Sequence, residues 1–532
     1  MFKVSFDEGR VDAIFAQLDQ SHLPGAAAGI AIGGKPVYRK GFGLASMELP
    51  YALTPTIRMR IASTTKHFTA LAYMLLCEKG KARIDDSIGR FLPDLHPITR
   101  DVTARQLMGN TSGLRDSHDI CWNFSGTPHV STSDLMSFYR DIEDINAPPD
   151  TTWIYNNGGW SILTAMIERI AGNSLEDVLH ESIFAPVGMH GTLLRRFDTD
   201  FVPNSATLHM MNARGVYEKA YLGVALAGEG GIVSTIDDML RWLAHMTEPV
   251  VGTAATWQMM ISTPQTLVNG TSTGYGLGLI RGRYRGLEIL HHAGGVNGGG
   301  AQMLKAPGLH LDVAVMVNRH DLFATQLAER VLDACVSDLQ PVEMLPATSI
   351  VEGVFQSDTT GRVVQLFRSP PSSFVSADHQ IVSINGFDIP ARVDRNGVLH
   401  PMAGFEVFKQ AVTLRGGLQK PDSITLSDFG NSDELVPVKR DQAGCAARIG
   451  GRFTSLATGT DVTIDNQASA SMRTVGRFGS MDFTLDHLAG RIWRARPQRL
   501  APAGGILSFD ENLAGFRFFT ARTIALPFWR IA

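Results

Sequence analysis

Ser63 and Lys66 stand three residues apart in the stretch RIASTTKHFTALAYMLL, residues 60–76. Residues three apart on a helix share a face. A helix starting near Ser63 therefore sets a hydroxyl beside an amine, a nucleophile beside a base. Ser-x-x-Lys is a common tetrad, and its ordinary reading is a helix cap followed by a solvated lysine. The run after Lys66, with Phe68, Leu71 and Leu75, is apolar nearly all round, which predicts a buried helix. A lysine in the first turn of such a helix has to be neutralised, paired or placed in a cleft. Burial and nearby donors then lower its pKa and equip it as a base toward Ser63. The helix N-terminus also offers a backbone N–H, that of Ser63, to a developing oxyanion.

Two further stretches carry residues of the same kind. In WIYNNGGWSIL, Tyr155 and Asn157 are two apart, with glycines following. Their ordinary reading is a buried tyrosine in a turn; their chemical reading is a phenolic proton shuttle and an amide that orients the lysine. In ILHHAGGVNGGG, the segment up to Gly295 reads as a strand whose C-terminal end carries His292, Gly294 and Gly295. The glycines let a substrate backbone approach closely. A lone histidine is more often structural, and His291 competes with His292 for any role.

The elements that must position these groups follow from pattern. RVDAIFAQLDQSH puts Val11, Ile14, Phe15 and Leu18 on one helical face. GAAAGIAIGGKPVYRKGFGLAS reads as two strands around a Gly-Gly-Lys-Pro turn. A largely helical region runs from about Ser63 to Ile183. Strands return in GYGLGLIRGRYRGLEILHHAGG and AQMLKAPGLHLDVAVMVNR, and ATQLAERVLDACVSDL reads as a closing helix. A large α/β unit over residues 1–340 is expected. QPVEMLPATS then reads as a linker, and the texture changes to short alternating segments such as RVVQLF, SITLSDF, DVTIDN and GFRFFT between turn residues. That is the pattern of small antiparallel barrels. A weak repeat, with Gly353 and Phe355 in one copy and Gly451 and Phe453 in the other, places two barrels at 345–440 and 445–532.

With 532 residues, several domains are expected. The 44% hydrophobic and 19% charged content is that of a globular protein, and the net charge of −4 without a long basic block argues against nucleic acid. No stretch approaches the ~20 apolar residues of a membrane span, so no membrane partner is expected. Cys77, Cys121, Cys335 and Cys445 have neither disulfide nor zinc spacing. MFKVSFDEGR lacks the apolar region of a signal peptide. A cytoplasmic protein is expected, although a precursor without its leader would read the same.

The order Ser-x-x-Lys, Tyr-x-Asn, His-x-Gly resembles the penicillin-recognising serine hydrolases, which include class C β-lactamases, DD-peptidases, related esterases and D-aminopeptidases. LMGNTSGLRD at 107–116, IFAPVGM at 183–189, GEGGIVSTIDDM at 228–239 and GYGLGL at 274–279 lie in register with that family, and the likeness covers nearly all of residues 20–320. The two appended barrels are similar to the layout of the bacterial D-aminopeptidase branch. The resemblance implies an α/β (α+β) fold: a β-lactamase/DD-peptidase-like domain with an antiparallel sheet, flanking helices and an all-α lobe, followed by two antiparallel β-barrel domains. It implies amide or ester hydrolysis through an acyl-enzyme. Ser63 attacks, Lys66 and Tyr155 share the proton work, Asn157 orients Lys66, and the N–H groups of Ser63 and Gly295 form the oxyanion hole. His292 stands where the lactamases carry a lysine that helps hold the β-lactam carboxylate. It is expected to tune Tyr155 and to bind substrate beside Gly294 and Gly295. Ile280 replaces a polar amide of the D-aminopeptidase branch. That branch also sends a loop of the last barrel into the site with an acid that meets the substrate's amine; the matching stretch is 474–484, with Asp482 as the acid and Arg473 and Arg477 nearby. No metal or organic cofactor is implied. The expected substrate is a small-molecule amide or short peptide, and a homodimer is compatible with the pattern. Four activities stay open: D-aminopeptidase or D-amino-acid amidase; carboxylesterase or other amidase; β-lactamase or DD-peptidase; and a non-catalytic binding module.

Overall fold

The computed structural model describes residues 2–20, 22–212, 214–262, 265–341, 351–369, 379–401, 410–439, 449–465, 470–499 and 501–531. The linker expected over 340–349 falls, from 342 on, outside the described residues, as does Cys445.

The first domain is built on a six-stranded antiparallel sheet. Its order is Ile280–Tyr284, Leu287–Val296, Gly299–Ala306, Leu311–Val317, Ala26–Ile32 and Lys35–Phe42. Period-two alternation divides the apolar side chains between its faces. Ala28, Ile30, Leu304, Val313 and Val315 pack with Val11 and Phe15 of the helix Glu8–Phe15 and with Leu327 and Val331 of Ala324–Cys335. Ala27, Ala31, Met303, Ala314 and Met316 face a second core that contains Ile236 and Leu240 of Ile236–His245. In that core lies the helix Lys66–Glu78, in which every residue from Lys66 to Leu76 is buried. Between the strands sits the helical lobe, with Ala104–Gly109, Ser117–Phe124, Thr132–Asp141 and Asn157–Ala171.

Two expectations shift. The helix does not start at Ser63: Ala62–Thr65 is a 3-10 turn and the α-helix proper begins at Lys66. GYGLGL is not strand; pairing along the edge begins at Ile280, because Gly274 and Gly278 take φ of 75° and 73°, outside the extended region.

The two closed eight-stranded barrels run from Gly353–Gln356 to Asn431–Pro437 and from Gly451–Ser455 to Leu526–Ile531. Phe355 and Phe453, the repeated aromatics, are buried in their first strands. Both barrels dock on the first domain. Phe429, held at φ 46° in the last hairpin of the middle barrel, packs 5.0 Å from Trp153, and Asn431 Nδ2 donates to Thr151 O. The third barrel receives Phe124 of the helical lobe, whose ring lies 5.2 Å from Phe518 and 5.4 Å from Phe528. The apolar core of the lobe and that of the third barrel are thereby continuous. Among the described residues no helix is long and apolar enough to cross a membrane.

Within the sheet, Lys305 and Asp312 face each other on neighbouring strands and form a buried pair at 2.6 Å. Removing one partner strands the other, at a cost of about 3–5 kcal/mol. Lys305→Met is expected to lower the urea midpoint followed by tryptophan fluorescence. Lys305→Met combined with Asp312→Leu is expected to recover most of the loss.

Candidate active site

The turn Ala62–Thr65 presents the nucleophile. Ala62 has φ 47°, a left-handed conformation that L-residues adopt at a cost, in the residue before Ser63. Ser63 itself is half-buried and reachable, while both its neighbours are buried. Ile61 N donates to Ile232 O, and Ile232 N to Thr65 Oγ1, so the GEGGIVS segment braces the turn from one side. From the other side Thr64 Oγ1 donates to His292 O on Leu287–Val296. Gly294 of that strand runs so close that an added Cβ would stand 2.0 Å from Ile61 O and 3.0 Å from Ser63 N. At Gly295 an added Cβ meets nothing within 4 Å. One glycine allows the strand to reach the nucleophile; the next faces open space, where a substrate carbonyl has room.

Lys66 is fully buried, and its Nζ lies 3.2 Å from Ser63 Oγ, 2.8 Å from Asn157 Oδ1 and 2.6 Å from Glu229 O. An ammonium would donate to all three. A neutral amine has two N–H groups and one lone pair; it spends the N–H groups on Asn157 and Glu229 and turns the lone pair to the Ser63 hydroxyl. The proton can cross from Oγ to Nζ with no heavy atom moving. Burial drives the Lys66 pKa well below the lysine range; the charge of Glu229 opposes this and that of Arg522 adds to it. Glu229 turns its carboxylate away from Lys66, to Ala227 N at 2.8 Å and His118 Nε2 at 3.3 Å.

Tyr155 and Asn157 are both delivered by the start of Asn157–Ala171. Asn156 caps this helix by accepting from Gly159 N, and the buried carboxylate of Asp116 accepts the N–H groups of Asn157 and Gly158. The Tyr155 ring lies 4.7 Å from Lys66 Nζ, and its hydroxyl is near enough to Ser63 for the serine to pull the phenol's pKa down. Burial pushes the phenol up to about 12, against the lowering pull of Arg522 and of Ser63, so Tyr155 keeps its proton and can deliver it.

Ser63, Lys66, Tyr155, Asn157, Gly294 and Gly295 therefore meet as expected. His292 does not touch Tyr155 in the way expected. Its Nδ1 donates to Ala293 O at 2.6 Å, so Nε2 is left to accept from the Tyr275 hydroxyl at 3.0 Å. Burial lowers its pKa to about 3 and keeps it neutral. The Tyr275 hydroxyl, from GYGLGL, is thus the side-chain partner of His292, with Trp153 packed at 6.1 Å from Tyr155 and 5.6 Å from Tyr275. Asp482 is not brought to the site. It pairs with Arg473 on the adjacent strand of the third barrel at 3.1 Å, both side chains being about half exposed. The hairpin turn near it docks on Phe124 and Ser125 instead, and Arg477 pairs with Asp141.

The loop of the third barrel that does reach the site lies between Gly515–Phe519 and Leu526–Ile531. Thr520 and Thr523 hydroxyls donate to Asp119 Oδ2 at 2.7 and 2.6 Å. Asn146 brackets the loop, donating to Arg522 O and accepting from Ile524 N, while Arg115 donates to Ile524 O. This fixes the Arg522 guanidinium 5.0 Å from the centre of the Tyr155 ring and 6.0 Å from that of Trp122. Glu229 and Tyr275 lay in stretches that were in register with the family. Arg522 had no local signal, since its partner Asp116 is 406 positions away.

The family model described as Beta-lactamase matches residues 11–336. A D-aminopeptidase of Brucella canis is 28% identical over 305 residues, 56% of this chain and 56% of its own length. One of Gluconobacter oxydans is 23% identical over 417 residues, 77% of each chain. The chain thus spans about half the length of the Brucella relatives it matches. Among solved structures, the octameric penicillin-binding protein homologue from Pyrococcus abyssi superposes with a TM-score of 0.58 at 22% identity, covering 81% of this chain and 100% of its own. The D-amino acid amidase from Ochrobactrum anthropi SV3 complexed with D-phenylalanine gives 0.52 at 22%, covering 61% and 98%. At these identities the two structures speak for the fold.

Two outcomes follow from the geometry. Because the neutral amine is the base, kcat/KM should fall as acid protonates Lys66, with a midpoint well below the ~10.4 of free lysine; a pH–rate profile checks both the sign and the position. Asp482→Asn should change kcat/KM on a free-amine anilide by less than about twofold, as befits an exposed ion pair, in steady-state assays beside the unaltered protein.

Proposed function

The chain belongs to the beta-lactamase family, and from that premise we propose that it is a serine hydrolase cleaving small amides through an acyl-enzyme on Ser63, with amides of D-amino acids as the first candidates. One observation carries the reading: a buried lysine amine with both N–H groups engaged and its lone pair 3.2 Å from the serine hydroxyl. As Ser63 Oγ attacks the substrate carbonyl, its proton passes to Lys66 Nζ. The oxyanion gathers charge at the N–H groups of Ser63 and Gly295. Tyr155, beside Ser63, is the group placed to protonate the departing amine, and Lys66 makes good its loss with the proton taken from Ser63; water then attacks the acyl carbon, gives its proton to Lys66, and the acid leaves as that proton returns to Ser63 Oγ. The D-amino-acid preference is taken from the relatives, which are a D-aminopeptidase and a D-amino acid amidase by name.

A second reading, hydrolysis of an amide or ester without a free amine, is favoured by one observation. Asp116, Asp119 and Glu229 are buried and engaged within the protein, and the charged side chain over Tyr155 is Arg522.

The p-nitroanilides of D- and L-alanine, a p-nitrophenyl ester and nitrocefin separate the activities. Faster turnover of the D- than the L-anilide, with slow nitrocefin hydrolysis, is expected. Ser63→Ala should abolish turnover by roughly 10³-fold or more without loss of fold, and a slow acylating substrate should add its mass to Ser63. Undiminished turnover in Ser63→Ala would overturn the mechanism.

A further inference from the structure

We propose that Arg522, carried in by the third barrel, is a specificity-determining residue that receives a carboxylate of the substrate beside the scissile bond; this rests on the Ser63 hydrolase reading.

The loop does not need the guanidinium to hold its shape. Its backbone is fixed by Asp119, Asn146 and Arg115 and by Arg522 N donating to Thr520 Oγ1. The side chain is left for something else. It has five N–H donors and, among the described residues, one polar contact, from Nη1 to Asp116 Oδ2 at 3.5 Å, the outer limit of a hydrogen bond. That carboxylate already accepts three backbone N–H groups, from Asn157, Gly158 and His118. The rings of Tyr155 and Trp122 support the guanidinium, and 28% of its side-chain surface remains exposed. A planar fork with spare donors, held over the tyrosine whose ring also lies against Lys66, matches a carboxylate in shape and charge. It sets a positive charge where an acid would have attracted a free ammonium, which favours the second of the two substrate readings, the amide or ester without a free amine.

The test compares p-nitroanilides whose acyl part is acetyl, succinyl or D-alanyl, and an acetanilide whose carboxylate sits on the leaving nitroaniline. Wild-type protein should favour an anionic substrate over its neutral partner in kcat/KM; the succinyl and leaving-group arms tell on which side of the bond the carboxylate is read. Arg522→Gln should lower the anionic-to-neutral ratio roughly ten- to a hundredfold, the range for a hydrogen bond to a charged group. Arg522→Lys should retain part of the preference, and Arg522→Glu should turn it toward D-alanyl. If Arg522→Gln lowers all substrates alike, or leaves the ratio unchanged while the acetyl compound is still cleaved through Ser63, the inference is overturned and the hydrolase reading stands. If no anilide is cleaved through Ser63, both fall.

Discussion

Everything in the site answers to the removal of one amine from water. An isolated ammonium in a protein interior is so unfavourable that the group gives up its proton, and among the described residues no carboxylate oxygen is paired with Lys66 Nζ. The acceptors supplied are an amide oxygen and a peptide carbonyl, which satisfy N–H groups without anchoring a full positive charge. The nearest acid in sequence to that carbonyl is Glu229 itself, and its side chain is drawn off by His118 and a backbone N–H. The apolar helix, the turn of the GEGGIVS segment and the start of Asn157–Ala171 are the means by which a neutral amine is kept beside a serine.

That arrangement tolerates little displacement, and the backbone shows where it is enforced. Ala62 holds a conformation usually left to glycine, and Gly294 occupies a place where a methyl group would overlap a carbonyl. Gly278 does the same on the other flank, its missing Cβ lying 2.8 Å from His67 N. The nucleophile turn is thus clasped between a strand and a loop, both of which come closer than side chains permit. The barrels complete the surround: Phe429 supports Trp153, which lies against Tyr155 and Tyr275, and the Arg522 guanidinium stands 5.0 Å from the centre of the Tyr155 ring.

Much of this was legible in the residues. The apolar run after Lys66 announced its burial; the alternation in AQMLKAPGLHLDVAVMVNR matches a strand pair with both faces covered; the repeated Gly-x-Phe marked the first strand of each barrel. Tyr155 and Asn157 were signalled by their spacing and the glycines after them, although the helix that begins at Asn157 was not. What failed did so for lack of local signal. His292 was expected to reach Tyr155 because of its place in a motif, and its free nitrogen is engaged instead by the hydroxyl of Tyr275, 17 positions earlier. Asp482 matched by alignment, but an arginine across the hairpin neutralises it. Thr520, Arg522 and Thr523 are unremarked turn residues until residues some 400 positions earlier give them a purpose.

Phe124 sits in the mouth of the third barrel as though it were one of that barrel's own core residues. A boundary drawn along the chain would separate the two; thermodynamics does not. Opening the barrel exposes Phe124 to water, and fraying Ser117–Phe124 leaves a hole among Phe518 and Phe528, so neither event is an independent excursion. Lobe and barrel form one cooperative unit of unfolding, while the middle barrel, with a separate apolar interior, has the makings of another. The slow-exchanging amides of Ser117–Phe124 then report the integrity of a sheet that begins more than 300 residues later.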